Sequence, residues 1–292
     1  MSTISRRSFV LASLAVLTIP RMARAAVASP VRFGMITDTH YADYESRDIR
    51  HYRESLGKMR ECVDRLNEHE LDFVIELGDF VDGSRRPAKE DAAEWLERIE
   101  AELARFKGPR YHVLGNHDME SFAKSEVLSH VENTGIEPTR SYYSFDHGGI
   151  HFVVLDANFR HDGEPYERYN FHWTDANVPE AELAWLKADL AAARGPIVGF
   201  SHQLFDGEGD AYVKNAAVVR KILESSGRTL AVFQGHHHAG KYSQIENVHY
   251  YTMKAMVEGS GTGNNAYAVV DIQPERIVIE GYQRAVGRTL AR

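Results

Sequence analysis

Five short stretches end in side chains that bind metal ions: Asp38-x-His40, Gly78-Asp79-x-x-Asp82, Gly115-Asn116-His117-Asp118, His202 and Gly235-His236-x-His238. Imidazole, carboxylate and amide oxygen together suit a borderline divalent cation. Cys62 is the only cysteine, which excludes thiolate metal sites and internal disulfides. A single motif of this kind carries little weight, because an aspartate at a strand end is commonly a cap or turn former. All five in one chain point to a shared metal site. The stretch QGHHHAGKY refines the expectation. In an extended or turning backbone, residues i and i+2 share a side, so His236 and His238 face one site and His237 turns away. Gly235 lets the backbone approach that site closely.

The elements that must position these groups are legible around them. VRFGMITDTH, LDFVIELGDFVD, RYHVLGNHD, PIVGFSH and TLAVFQGHHH are β-branched and aromatic runs of strand length, each ending abruptly in Asp, Asn or His. Helical patterns lie between them. Residues 49–68 carry Leu56, Met59, Cys62, Val63 and Leu66 on one stripe, where Cys62 reads as a packed side chain. Residues 88–106 carry Trp95, Leu96, Ile99, Leu103 and Phe106, and residues 180–193 carry Leu183, Trp185, Leu186 and Leu190. Strands alternating with helices predict a layered α/β fold, with its site at the carboxyl ends of the strands. SYYSFDHGGIHFVVLDA reads as a hairpin turning at Gly148-Gly149. YSQIENVHYYTM and AYAVVDIQPERIVIEGY read as further antiparallel strands, so a second sheet packed on the first is expected. EGSGTGNN lacks the strand-to-helix setting of a dinucleotide loop and reads as a surface loop.

The N-terminal 25 residues stand apart. Arg6 and Arg7 precede an apolar run from Phe9 to Ile19, followed by the small-x-small pattern Ala23-Arg24-Ala25. This predicts a twin-arginine-type export signal over 1–25, a mature domain over 26–292, and a periplasmic or secreted product. The export machinery would be a transient partner, and no stable membrane anchor would remain after cleavage. Net charge is −8 over 292 residues. Loss of four leader arginines makes the balance more acidic, a poor match to sequence-independent nucleic-acid binding.

The ordered motif set from Asp38 to His238 resembles the calcineurin-like metallophosphoesterase superfamily. The resemblance implies two packed mixed β-sheets flanked by helices, a four-layer sandwich, with a dimetal site at the strand ends. It implies two divalent ions, Mn, Fe or Zn, about 3.5 Å apart. Matched position by position, Asp38, His40, Asp79 and His238 would hold one ion. Asp79, Asn116, His202 and His236 would hold the other, with Asp79 as the bridge. Such ions make hydroxide available from water near neutral pH and neutralise charge on the phosphoryl oxygens. His117 would touch the phosphate and protonate the leaving group, and Asp118 would hold the His117 imidazole in the useful tautomer. Asp82 would stand behind the ligands.

HYADYESRDIRHYRESL, GDFVDG, ELAWL, GKYSQIENVHYYTM and NAYAVVDIQPERIVIEGY also resemble the manganese-dependent ADP-ribose/CDP-alcohol diphosphatase group. In that group a glutamine often stands at the position of His40. The expected function is exported cleavage of a phosphodiester or nucleotide diphosphate-type bond in a small-molecule phosphoester. A broad phosphomonoesterase and a catalytically inactive metal-binding scaffold are the alternatives. The intact GNHD argues against the scaffold, which has no use for His117. Segment 157–178 is aromatic-rich and aperiodic, and reads either as a stacking rim or as a self-pinned loop. Arg50, Arg53, Arg140 and Lys241 are candidates to meet a second phosphate.

Overall fold

The computed structural model describes residues 30–292; the expected leader lies outside the described residues. Two six-stranded sheets face each other. The first has the order β12-β11-β10-β1-β2-β3 and the second β4-β5-β6-β7-β9-β8. In the first, β1 (Val31–Ile36) pairs parallel with β2 (Phe73–Glu76), which pairs parallel with β3 (Arg110–His112). The C-terminal strands β10 (Ala266–Ile272), β11 (Arg276–Gln283) and β12 (Arg288–Ala291) extend it antiparallel on the other side of β1. The second sheet holds β4 (Tyr143–His147), β5 (Ile150–Leu155), β6 (Ile197–Ser201), β7 (Thr229–Gln234), β8 (Lys241–Ile245) and β9 (Val248–Thr252). Both sheets are mixed.

The central strands carry apolar side chains on both faces because both faces are covered. Between the sheets lies an aromatic seam. Phe33 of β1 stacks on Phe73 of β2 at 4.8 Å, and its edge meets Phe152, Phe200 and Phe233 of the second sheet at 5.6–6.1 Å. Outside the first sheet lie α1 (Ser55–Leu66) and α2 (Lys89–Leu103), with the short α3 (Lys124–His130) against α2. The α1 stripe Met59, Cys62, Val63 and Leu66 is buried, as its spacing predicts. Outside the second sheet, α4 (Glu180–Ala192) buries Leu183, Leu186 and Leu190, and α5 (Ala216–Ser225) buries Val219, Ile222 and Leu223. The result is helix, sheet, sheet, helix.

The Gly148-Gly149 hairpin forms, with φ of +56° and +79° at the two glycines. One strand expectation needs correction. β9 pairs antiparallel with β8 but parallel with β7, because the chain inserts it beside β7 and leaves β8 on the edge. The helices α3 and α5 and strand β12 were not anticipated. Among the described residues no helix is long and apolar enough to cross a membrane.

Candidate dimetal centre

The first sheet contributes the carboxyl ends of β1, β2 and β3, and the second those of β6 and β7. Asp38 and His40 follow β1, Asp79 follows β2, Asn116 follows β3, His202 follows β6, and His236 and His238 follow β7. Six of the seven expected metal-binding residues, Asp38, His40, Asp79, His202, His236 and His238, thus gather in two adjoining groups, and the seventh, Asn116, has a buried side-chain oxygen beside His117, whose backbone N–H meets Asp79. Asp38, His40 and His238 form one group whose donor atoms lie within 4.8 Å of one another; Asp79, His202 and His236 form a second. Asp79 belongs between them, with Oδ2 3.5 Å from His40 Nε2 and 3.1 Å from His202 Nε2. Its other oxygen, Oδ1, accepts the His117 backbone N–H at 2.7 Å, which fixes the carboxylate plane.

The backbone is strained to achieve this. Asp38, His40, Asp79 and His236 have φ of +50°, +45°, +57° and +65°. Non-glycine residues in this left-handed region are costly and persist where the surroundings over-determine them, often at functional sites. Gly235 permits the crowding: a Cβ there would lie 2.2 Å from Thr37 Oγ1 and 3.1 Å from His202 Nδ1. His237 is exposed, while His236 and His238 are partly buried and face the site. The i, i+2 expectation therefore holds, produced by a turn with His236 in the left-handed region rather than by an extended strand.

Three imidazoles have Nδ1 anchored and Nε2 aimed at the centre. His40 Nδ1 lies 3.0 Å from Asp82 Oδ2, His202 Nδ1 lies 2.8 Å from the Leu77 carbonyl, and His238 Nδ1 lies 3.2 Å from Glu258 Oε1. Partners of this kind fix the tautomer of metal-binding histidines. Burial, reinforced by the neighbouring His202, drives His236 down to about 3, so it presents a lone pair rather than a proton.

The donor atoms fit cations. Asp38 Oδ1, Asn116 Oδ1 and His202 Nε2 are buried without a hydrogen-bond partner. Buried polar atoms rarely stay unsatisfied. His40 Nε2 and His238 Nε2 lie 3.1 Å apart, and both face Asp38 Oδ1. A divalent ion coordinated by these atoms would satisfy them together.

His117 sits at the rim, its ring centroid 4.6 Å from that of His40. The expected role of Asp118 is overturned. Its carboxylate accepts four backbone N–H groups, from Asp79 at 3.1 Å, Phe80 at 2.9 Å, Val81 at 3.1 Å and Gly115 at 2.9 Å. It knits the loops after β2 and β3 together and is not the partner of the imidazole. Glu120 takes that place, with Oε2 2.9 Å from His117 Nδ1, and Asp82 Oδ2 is 3.5 Å away. The reason is local: residues 118–120 form a 3-10 turn, which carries position i+3 back over His117 and turns Asp118 inward. Burial pushes the His117 imidazole down, but Asp79, Asp82 and Glu120 outweigh burial and hold it well above its ordinary value. Glu120 and Glu258 escaped the sequence reading. An acid three residues after His117 was the only available signal for Glu120, and none pointed to Glu258.

Two cavities flank the centre. One of about 260 Å³ is lined by the aromatic segment and by Arg86, Ser84 and Glu120. The other, about 480 Å³, is lined by Arg47, Arg50, Tyr52, Ser84, His238 and Glu258. Of the basic residues considered, Arg50 thus borders the site. Arg53 is held by Asp43 and Glu45, and Lys241 by Asp206 and Tyr212.

This fold and these donors define a dimetal phosphoesterase. The calcineurin-like phosphoesterase model matches residues 31–240, and the chain belongs to that family. It is 26% identical to a manganese-dependent ADP-ribose/CDP-alcohol diphosphatase from Oryza sativa subsp. japonica, over 85% of this chain and 90% of the relative. It is also 26% identical to the serine/threonine-protein phosphatase CPPED1 of Bos taurus, over 76% of this chain and 70% of the relative. A dimetal phosphatase from Danio rerio has the same fold, with a TM-score of 0.77, 23% identity, and coverage of 91% of this chain and 99% of that one.

Proposed function

We propose that the protein is an exported phosphohydrolase that cleaves a phosphodiester or nucleotide diphosphate-type bond. The observation that carries the bond type is a pair of cavities that share Ser84, one bordered by the donor His238 and the other by Glu120, the partner of His117. A phosphoryl group with organic substituents on both sides fills two arms; a monoester needs one. The name of the Oryza sativa relative, a diphosphatase, supports the same reading.

In this reading Asp38, His40, Asp79 and His238 would hold one ion, and Asp79, Asn116, His202 and His236 would hold the other. The two ions supply the Lewis acidity that ionises water near neutral pH and neutralises charge growing on the phosphoryl oxygens. The chain does the rest. Asp82, Glu258 and the Leu77 carbonyl hold the imidazoles in register. His117, whose Nδ1 faces Glu120, is the group that would donate a proton from Nε2 to the departing oxygen. Glu120 holds the other ring nitrogen, Nδ1, at 2.9 Å.

The test is turnover by metal-loaded protein of bis-p-nitrophenyl phosphate, p-nitrophenyl phosphate and ADP-ribose, each with Mn, Zn and Fe. Diester or diphosphate turnover at least about ten-fold above the monoester is expected. The reverse order would make the protein a phosphomonoesterase, and two bound metals without turnover would make it a scaffold. Export rests on Arg6-Arg7 and the apolar run that follows. Replacing both arginines by lysine should strand the folded precursor in the cytoplasm, and undiminished export would point to an ordinary signal peptide.

A further inference from the structure

Asp38, His40 and His238, the expected ligands of one ion, come from both sheets. Asp38 and His40 follow β1 in the first, and His238 follows β7 in the second. Neither sheet sets their spacing alone. The connector between β9 and β10 spans the gap. Its backbone N–H groups meet both ligand loops in turn. Met253 donates to the Gln234 carbonyl at 2.9 Å, Ala255 to His238 at 3.1 Å, Met256 to Thr37 at 3.1 Å and Val257 to Asp38 at 3.0 Å. One residue further on, Glu258 brings Oε1 to 3.2 Å from His238 Nδ1.

Two cations outside the ligand set grip this connector. Lys58 of α1 is fully buried, and its ammonium donates to the carbonyls of Met256 at 2.8 Å, Glu258 at 2.9 Å and Gly259 at 2.6 Å. These bonds use every donor of the ammonium, and none ends on a carboxylate. Burial, with Arg284 next, pushes Lys58 down to about 8, the mark of a charge kept where solvation is poor. Arg284 stands just after β11. Its Nη1 donates to the carbonyls of Ala255 at 3.1 Å and Glu258 at 2.8 Å, and its Nη2 to Glu258 Oε2 at 2.6 Å. Ala255 and Met256 are therefore held at both ends, the N–H by a ligand loop and the carbonyl by Arg284 or Lys58. Glu258 has one oxygen on Arg284 and the other on His238. Connector and Arg284 both lie after the last residue of the calcineurin-like match, so the family's ligand motifs do not include them.

We propose that Lys58 and Arg284 are positioning residues for the ion at Asp38, His40 and His238, and set its affinity through the connector. Among the described residues the connector makes no hydrogen bond to the loops that carry Asn116 and His202, so the second ion is outside their reach. The inference concerns metal binding and does not depend on which phosphoester is cleaved.

The experiment titrates Mn²⁺ into metal-free protein by calorimetry, with metal content after dialysis as a second reading. Wild-type protein should take up two ions. Arg284→Gln should weaken one of them about 10- to 100-fold, the usual cost of losing an outer partner, and leave the other unchanged. Two backgrounds identify the ion. His236→Ala retains the ion at Asp38 and His238, and adding Arg284→Gln should weaken it by the same factor. His238→Ala retains the other ion, and adding Arg284→Gln should change nothing. A merely structural arginine would weaken the retained ion in both backgrounds. That result would overturn the proposal, as would wild-type binding of both ions by Arg284→Gln. Lys58→Met should repeat the Arg284→Gln pattern; if it does not fold, the Arg284 variants decide alone. Arg288→Gln removes a cation of β12 that lies over the Tyr242 ring, away from the connector, and should bind both ions as wild type does.

Discussion

Asp118→Asn should behave as a folding defect rather than a mild catalytic one. Each Asp118 oxygen accepts two backbone N–H groups: Oδ1 from Phe80 and Val81, Oδ2 from Asp79 and Gly115. Whichever way an asparagine amide is turned, its NH2 faces two N–H donors. Two buried bonds are lost and the remaining two no longer end on a charge. An unsatisfied buried group costs about 1–3 kcal/mol. Part of this is offset, because burial and the charge of Asp79 already push Asp118 up to about 6. The net loss at pH 7.5 should be about 3 kcal/mol, or roughly 1 M in the urea midpoint. The loops involved carry Asp79 and Asn116, so both ions should be held less tightly. Denaturant unfolding, metal analysis and turnover on alkyl and p-nitrophenyl esters are the measurements. If Asp118→Asn unfolds within about 0.5 kcal/mol of wild type, keeps both metals and loses activity only on poor leaving groups, Asp118 orients His117 after all and the geometric argument fails.

His236→Ala and His238→Ala should each lose a metal and more activity than the roughly 10- to 100-fold that outer partners cost, whereas His237→Ala keeps both metals; metal depletion in His237→Ala alone would reverse the assignment. Glu120→Gln should retain both metals and slow kcat about ten-fold on an alkyl ester, and less on a p-nitrophenyl ester whose leaving group needs little protonation; an equal loss on both would remove Glu120 from proton donation. Away from the centre, His151 has Nδ1 2.8 Å from Asp146 and Nε2 2.7 Å from Asp189. Burial pushes its imidazole down, but Asp189 and Asp146 outweigh burial and raise it above its ordinary value. A raised value means that this stabilisation is complete below the unfolded value near 6.5 and fades as pH rises through the folded one. His151→Gln should therefore cost about 1.5 kcal/mol at pH 6 and less at pH 9, and thermal unfolding showing the same cost at both would refute it.

The donor types, their order and their placement at strand ends were legible in the sequence because each is a local property. An apolar run of strand length that stops at Asp38 or His202 identifies its element and its end without reference to the rest of the chain. The stripe through Met59, Val63 and Leu66 and the turn at Gly148-Gly149 are equally local, and both formed where expected. The division of the strands between two sheets, and the parallel seating of β9 beside β7, depend on pairings between distant segments that no periodicity encodes. The same limit governs the details of the centre. Asp79 Oδ2 lies between two histidines only because the loops after β2 and β6 meet there. Glu258 reaches His238 from a loop twenty residues further on. Glu120 rather than Asp118 meets the His117 imidazole because a 3-10 turn set the direction of each side chain. Sequence determined which chemistry the chain carries; the tertiary structure decided which atom of which side chain faces it, because direction depends on backbone angles fixed by contacts far along the chain.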